Sequence, residues 1–358
     1  MSFRHLLANF HPVALGLLLV LGSLAFRARP LSHYALEGHE QPVALLQTGQ
    51  STYLVTQHSV FRLEGPRFVR QYHGAGVIQG AAVADTVLWL GTRQGLWRLN
   101  TRTFRAHPAA LPVPEATPPI AAVFVDARGD VWAGISGYGV FRQHNGTFVS
   151  ELTIPSVNAG VALADSSVWI GTSIGLHRKL GPDWTRYNEE GVANHEIPDN
   201  IVEKLLPDHA GNLWVIMSEG VCVMEHPSRR PAMAAEWPAV KFLGRPGNEV
   251  YAVATVPGEG RLFATAMGVL VLPEAATPSG PNASAAPDKI EDKPLLVSLP
   301  PLPGSAPGGS TTPHLLEVDA QRRVWLVSAD EVTVLTARQL QAWLRSARPK
   351  SAARGLPG

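Results

Sequence analysis

Cysteine is nearly absent from this chain. Among 358 residues there is one, Cys222, so neither an internal disulfide nor a cysteine-built metal site can form. It sits between Val221 and Val223 and reads as a small buried hydrophobe, not a nucleophile. An excess of charge is missing too. Thirty Lys and Arg face 29 Asp and Glu, a formal net charge of +1. Without a single-sign field, no nucleic acid is expected as a partner. The densest basic run, Arg345, Arg348, Lys350 and Arg354, reads as a solvated tail. Charged residues make up 16% of the chain and hydrophobic ones 45%, a composition that buries a core.

Catalytic and cofactor motifs are scarce. Thirteen histidines show no H-x-H or H-E-x-x-H spacing. No P-loop occurs, and Gly74-Ala75-Gly76 lacks dinucleotide spacing, so no cofactor is expected. Gly171-Thr172-Ser173-Ile174-Gly175 fits the G-x-S-x-G pattern. That motif needs a strand turning into a helix. Here the same frame recurs at Gly91 to Gly95 without a serine, which marks a repeated turn. Ligands converging on one point from distant segments would leave no spacing signal.

One long apolar run is present. It is densest from Pro12 to Phe26 and can be read from Leu6, just after Arg4 and His5. Ser23-Leu24-Ala25 offers a small-residue cleavage site for a secretory signal. The longer reading just reaches the roughly 20 residues of a spanning helix. Arg27 and Arg29 follow it and weaken an anchor with its N-terminus inside. Residues 1–29 are therefore read as a signal peptide or membrane anchor. The protein is expected to be exported, periplasmic or extracellular, with tethering to the inner membrane as the alternative.

What the chain has is a repeat. Trp89 opens Trp-Leu-Gly-Thr-Arg-Gln-Gly-Leu-Trp-Arg-Leu, and Trp169 opens Trp-Ile-Gly-Thr-Ser-Ile-Gly-Leu-His-Arg-Lys. Trp132, Trp214 and Trp325 open related units, with weaker copies at Tyr53 and Phe263. The seven anchors are spaced by 36, 43, 37, 45, 49 and 62 residues. Propeller blades repeat at about 40–50 residues. Each anchor fits the second strand of a blade, followed by a Gly-containing turn and a third strand. Phe68, Phe104, Phe148 and Trp184 then open outer strands. The fold class expected is all-β: a seven-bladed β-propeller over residues 30–335.

Acids recur before the anchors. Asp126, Gly129 and Trp132 stand in the frame D-x-x-G-x-x-W, as do Asp208, Gly211 and Trp214. Asp319 and Trp325 keep it with Arg322 in place of the glycine, while Asp85 and Asp165 sit in shorter turns. Such acids accept backbone N–H bonds at turn starts. They recur once per blade, so they read as turn structure and not as a catalytic or calcium series.

The last copy lacks an outer strand. Thr336 looks like an N-cap, and Leu340, Trp343 and Leu344 share one helical face. Residues 336–358 are thus a short C-terminal helix and tail. The segment around His33 to Leu36 is expected to supply the missing strand and close the ring. The longest interval holds an insertion from Glu274 to Pro313, rich in Pro, Ser, Ala and Gly. Within it Pro294-Leu-Leu-Val-Ser-Leu reads as the sixth outer strand. That leaves two flexible loops, 274–293 and 300–313.

At Tyr187 to Trp214 the text becomes specific. Ile197-Pro-Asp-Asn-Ile-Val is followed by Asp208-His-Ala-Gly-Asn-Leu-Trp. This resembles the two-component regulator propeller repeat, and Trp89 to Leu99 and Trp169 to Lys179 resemble its second half. The resemblance spans about residues 42 to 335 outside the insertion. It implies an extracytoplasmic propeller like those of sensor kinases tied to glycan use, although no kinase module is read in this chain.

Ligands of propellers meet the face built from the turns after the second strands and the inter-blade loops. His58, Arg93, Tyr138, Glu219 and Asp330 are the candidate binding residues there. Tyr138 leads, because its turn is one residue longer and flanked by Gly137 and Gly139. The function expected is an extracytoplasmic binding or scaffold module for a protein partner or glycan. The alternatives are a sensing module for a separate two-component system and a propeller lyase or hydrolase.

Overall fold

The computed structural model describes residues 32–49, 51–74, 76–189, 197, 199–208, 211–218, 220–224, 227, 240–242, 249–266, 268–273, 297–298 and 312–347. The N-terminal apolar run, loop 274–293, and loop 300–313 up to residue 311 lie outside the described residues. Among the described residues no helix is long and apolar enough to cross a membrane.

The strands form seven four-stranded antiparallel sheets. β1 (Ser32–Ala35) precedes the first full blade. Blade one is β2 (Pro42–Gln47), β3 (Thr52–Thr56), β4 (Ser59–Glu64) and β5 (Arg67–His73). Blade two is β6 (Ile78–Ala84), β7 (Val87–Thr92), β8 (Gly95–Asn100) and β9 (Ala106–Pro108). Blade three is β10 (Ile120–Val125), β11 (Val131–Ile135), β12 (Gly139–His144) and β13 (Thr147–Leu152). Blade four is β14 (Ala159–Ala162), β15 (Val168–Thr172), β16 (Gly175–Leu180) and β17 (Asp183–Tyr187). Blade five is β18 (Val202–Pro207), β19 (Leu213–Met217), β20 (Val221–Met224) and β21 (Val240–Phe242). Blade six is β22 (Val250–Val256), β23 (Gly260–Thr265), β24 (Gly268–Pro273) and β25 (Val297–Ser298). Blade seven takes β26 (Leu315–Val318), β27 (Val324–Val327) and β28 (Glu331–Leu335) from the end of the repeat. Its outer strand is β1, paired antiparallel to β28 from Ser32 opposite Val334 to Ala35 opposite Glu331. The closure expected at His33 to Leu36 is therefore real. Tyr34 fastens it, stacked 6.5 Å from Trp325 and edge-on to Phe68 at 5.7 Å.

The described residues form seven buried clusters, and each joins two neighbouring blades. A blade is apolar on both faces, so only its neighbours can cover it. Trp132, Trp169 and Trp214 are at most 1% exposed, and each such side chain contributes roughly 3 kcal/mol of burial. Six anchors face the following blade. Phe263 does not. It points back into the cluster shared with blade five, edge-on to Trp214 at 5.2 Å. Leu262 occupies the anchor position facing blade seven. A one-residue slip in a strand flips a side chain to the other face, so the sixth copy is corrected to Leu262. Gly268 carried the signal: it lies six residues after Leu262, as Gly95 lies six after Trp89.

The turn acids prove structural. Asp126, Asp208 and Asp319 each accept backbone N–H bonds across their turns. Each also accepts the anchor's indole N–H at 2.9 Å, a bond the frame alone did not reveal. In blade four Ser167 accepts from Trp169 and itself bonds Asp165. Arg322 takes φ 59°, the left-handed conformation that Gly129 and Gly211 hold in the equivalent turns. Cys222 is fully buried, and burial pushes its thiol up to about 12.

α1 (Ala337–Ala347) begins with the expected cap. The Thr336 amide donates to Gln339 Oε1 at 2.8 Å, and the Gln339 amide reaches back to Thr336 Oγ1. Leu340, Trp343 and Leu344 pack into the cluster between blades six and seven.

Candidate functional site

The innermost strands β2, β6, β10, β14, β18, β22 and β26 surround the ring axis. Each starts from an inter-blade loop, so its first residues lie on the face where the second-to-third strand turns also emerge. In five blades the ladder shifts register at this start, leaving Val43, Gln79, Ala121, Glu203 and Tyr251 as bulge residues. Bulges re-aim side chains and recur beside functional sites. Here they crowd the mouth of the axial channel.

The channel wall is uneven. Blades two to four line it with small groups, among them Ala81, Ala121, Gly160, Val161 and Ala162, with Gln79 an exception. Blades five to seven contribute Glu203, Lys204, Tyr251, His314 and Glu317. Three of these touch. The Tyr251 and His314 rings stack with centroids 4.6 Å apart and planes at 28°. Lys204 Nζ lies over the Tyr251 ring, 5.5 Å from its centroid. Burial and then the Lys204 charge lower the His314 pKa, against weaker opposing effects of Glu249 and the Thr312 backbone. His314 Nδ1 is buried with no hydrogen-bond partner among the described residues. Deeper in the channel, Glu317 keeps accessible surface while protein surrounds it, and that burial pushes its carboxyl up to about 7.

A second cluster sits at the rim of blade one. Glu40 accepts bonds from Thr56 Oγ1 at 2.5 Å, Ser59 Oγ at 2.8 Å and the His58 amide at 3.1 Å. Burial opposes its ionisation. Those three bonds and nearby His73 outweigh burial and hold its pKa below the usual carboxylate range. Ser59 Oγ also lies 3.0 Å from His73 Nδ1. The trio resembles a triad in composition only. Ser59 is fully buried, and its hydroxyl donates to the carboxylate, so it cannot act as a nucleophile.

Four of the sequence candidates, His58, Arg93, Tyr138 and Asp330, lie in turns between second and third strands. His58 is half-buried and tied through its amide to Glu40, its ring 6.3 Å from that of His73. Asp330 pairs with His39, and its carbonyl accepts the Leu36 amide at 2.8 Å, so it also holds the closing segment. Arg93 is exposed in the β7–β8 turn. Tyr138 is half-buried against the cluster between blades two and three. Gly137 and Gly139 beside it both have positive φ, and a Cβ on Gly139 would come within 2.1 Å of the Leu152 carbonyl. Glu219 lies outside the described residues. Ser173 sits in a strand-to-strand turn and is bonded by Asn158 Nδ2, away from any helix. Among the described residues no three His, Cys, Asp or Glu gather closely enough to hold a metal.

Known proteins share this architecture. No protein-family model and no curated protein matches the sequence. Solved structures do. One is the extracellular domain of a putative hybrid two-component system protein from B. thetaiotaomicron. It matches with TM-score 0.60 at 14% identity, over 86% of this chain and 40% of that one. In fold the chain resembles that extracellular domain. PorZ, a surface component of the type-IX secretion system of Porphyromonas gingivalis, matches at TM-score 0.59 and 14% identity, over 87% of this chain and 48% of its own. Virginiamycin B lyase from Staphylococcus aureus matches at 0.58 and 12%, over 86% and 99%. The chain thus spans about two fifths of the length of that extracellular-domain chain. At these identities the likeness establishes the seven-bladed propeller fold.

Proposed function

We propose that this protein works outside the cytoplasm as a binding propeller, a scaffold or interaction module for a protein partner or glycan. The observation that carries the reading is the axial mouth. Lys204, Tyr251 and His314 come from three blades, yet meet at one point on the face that propellers use for ligands. Arg93, Tyr138, His58 and Asp330 lie in second-to-third strand turns of the same face, and Glu219 joins them as a candidate from its sequence position. The apolar run before residue 30 and the exported neighbours support placement in the periplasm or outside the cell, and a membrane tether through that run is part of the proposal.

Binding of glycan arrays and of envelope proteins to the wild type and to a Lys204→Ala/His314→Ala variant tests it. A ligand held by the wild type and lost by the variant supports the reading. Undiminished binding by the variant would refute the axial site.

A second reading has its own observation. Glu317, with its pKa near 7 in a channel, has the poise of a general acid or base, and one neighbour is a lyase. Turnover of a cyclic peptide or polysaccharide by the wild type, abolished by Glu317→Gln, would favour an enzyme over a binding module.

A further inference from the structure

Blade two departs from its neighbours on the outer flank of the ring, away from the axial mouth. In blades three, five and seven an aspartate accepts the anchor's indole N–H, and in blade four Ser167 does. The β6–β7 turn is shorter, only Asp85-Thr86 between the strands. No acceptor reaches the Trp89 indole among the described residues. The residue across the ladder departs as well. Arg142 lies opposite Trp132, over its ring at 5.5 Å, and pairs with Glu151 at 2.8 Å. Arg178 lies over Trp169 at 5.1 Å. Arg98 is opposite Trp89. It is exposed, and among the described residues it has neither a carboxylate partner nor an aromatic face beneath it.

Both groups line one cleft of about 340 Å³ between blades two and three. Trp89 and Arg98 form one side, Phe148 and Gln143 the other, with Leu111 and Pro112 closing it. Phe148 meets Trp89 edge-on at 5.9 Å, so the floor is aromatic. The charged lining is a single guanidinium, with no carboxylate beside it. The volume is at the small end of ligand pockets, roughly 300–1,000 Å³.

Such walls select a ligand with an apolar body and one anionic head. A planar guanidinium matches a carboxylate through two parallel bonds. A phosphate dianion would call for a second cation, and the cleft supplies none. We infer that this cleft binds a small apolar monocarboxylate, its head on Arg98 and its body against Trp89, Phe148 and Leu111. The site is independent of the axial mouth, and either can fail without the other.

Titration calorimetry on the full chain, with 3-phenylpropionate and its primary amide, tests the inference. The carboxylate is expected to bind with a Kd of about 1 mM or tighter. Losing a charge-assisted bond costs at least about tenfold, so the amide and the Arg98→Gln variant are both expected to bind that much more weakly. Ala110 is exposed at the cleft edge. Ala110→Phe should fill the cleft and abolish binding, with the melting temperature kept within about 2 °C. Equal affinity for acid and amide would overturn the inference. So would undiminished binding by either variant, or no binding of the acid at about 10 mM.

Discussion

Blades two to four and blades five to seven, with blade one between them, make two unlike halves of the ring. The first half holds the two closest copies of the repeat, at Trp89 and Trp169, and lines the channel with Ala, Gly and Val. The second half has looser copies. It carries the sixth anchor as Leu262, its inner strands present Lys204, Tyr251 and Glu317, and His314 stands just before β26. The difference follows from what a repeat records. Repeated residues answer demands that every blade shares: an aromatic to fill an interface, a glycine to turn, an acid to hold the turn. A binding group is needed at one azimuth of the ring, so it appears where a copy departs from its siblings.

The strongest way to break the comparison is to open the ring, because both halves depend on closure. Deleting residues 31–40 removes β1, the Tyr34 stack and Glu40 together. Loss on the order of 5 kcal/mol, roughly 10 °C in melting temperature, is expected. A negligible shift in a thermal melt followed by circular dichroism would defeat the closure. Next come the acids. Asp126→Ala strips an indole acceptor and two turn bonds in blade three, at about 2–3 kcal/mol. Asp208→Ala does the same in blade five and also loses Thr255 Oγ1 of blade six, bonded at 2.5 Å. It should therefore cost about 1 kcal/mol more in urea unfolding. Equal costs would mean that the halves are held together alike.

What could be read in the residues and what could not divide along the same line. The seven blades, the cap at Thr336, the strand at His33 to Leu36 and the turn role of Asp126, Asp208 and Asp319 were all legible. Each rests on local spacing or on the demand that every edge find a partner. Phe263 misled because an aromatic is a weaker register mark than the glycine that closes the turn. The Lys204, Tyr251 and His314 group was illegible for a different reason. Its members come from three blades, with no shared spacing, and only closing the ring brings them together. Glu40 was equally hidden, since its bonds to Thr56, Ser59 and His58 need the chain to fold back across blade one.

A smaller effect should separate binding from stability. His314→Ala removes an imidazole stacked on Tyr251 at the channel mouth, outside the buried clusters of the described residues. Ligand affinity is expected to fall at least about tenfold, with the melting temperature within about 2 °C of wild type. A similar truncation in the other half, Ile170→Ala, removes a fully buried side chain between blades three and four. It should cost about 3 kcal/mol of stability and leave affinity unchanged. If the two variants exchanged phenotypes, the division of labour between the halves would be wrong.

The smallest effect sets one titrating group of each half against the other. Burial, and then Arg186, lowers His177 of blade four to about 4. Unfolded, that imidazole titrates near 6.5, so between about 4 and 6.5 the unfolded chain binds more protons. Its contribution is present above pH 6.5 and is lost as pH falls towards 4. Burial raises Glu317 of blade seven from 4.5 to about 7. Here the folded chain binds more protons, so stability is present below pH 4.5 and is lost as pH rises through 7. Glu317 is exposed, so solvent screens much of that second cost, leaving about 1 kcal/mol. Glu317→Gln should therefore gain about 2 °C at pH 8 and nothing at pH 4. His177→Phe, if the blade accepts the ring, should flatten the acid limb and leave pH 8 untouched. Melting temperatures across pH 4 to 8 decide both, and a Glu317→Gln gain equal at both ends would show that folding leaves the carboxyl's pKa unshifted.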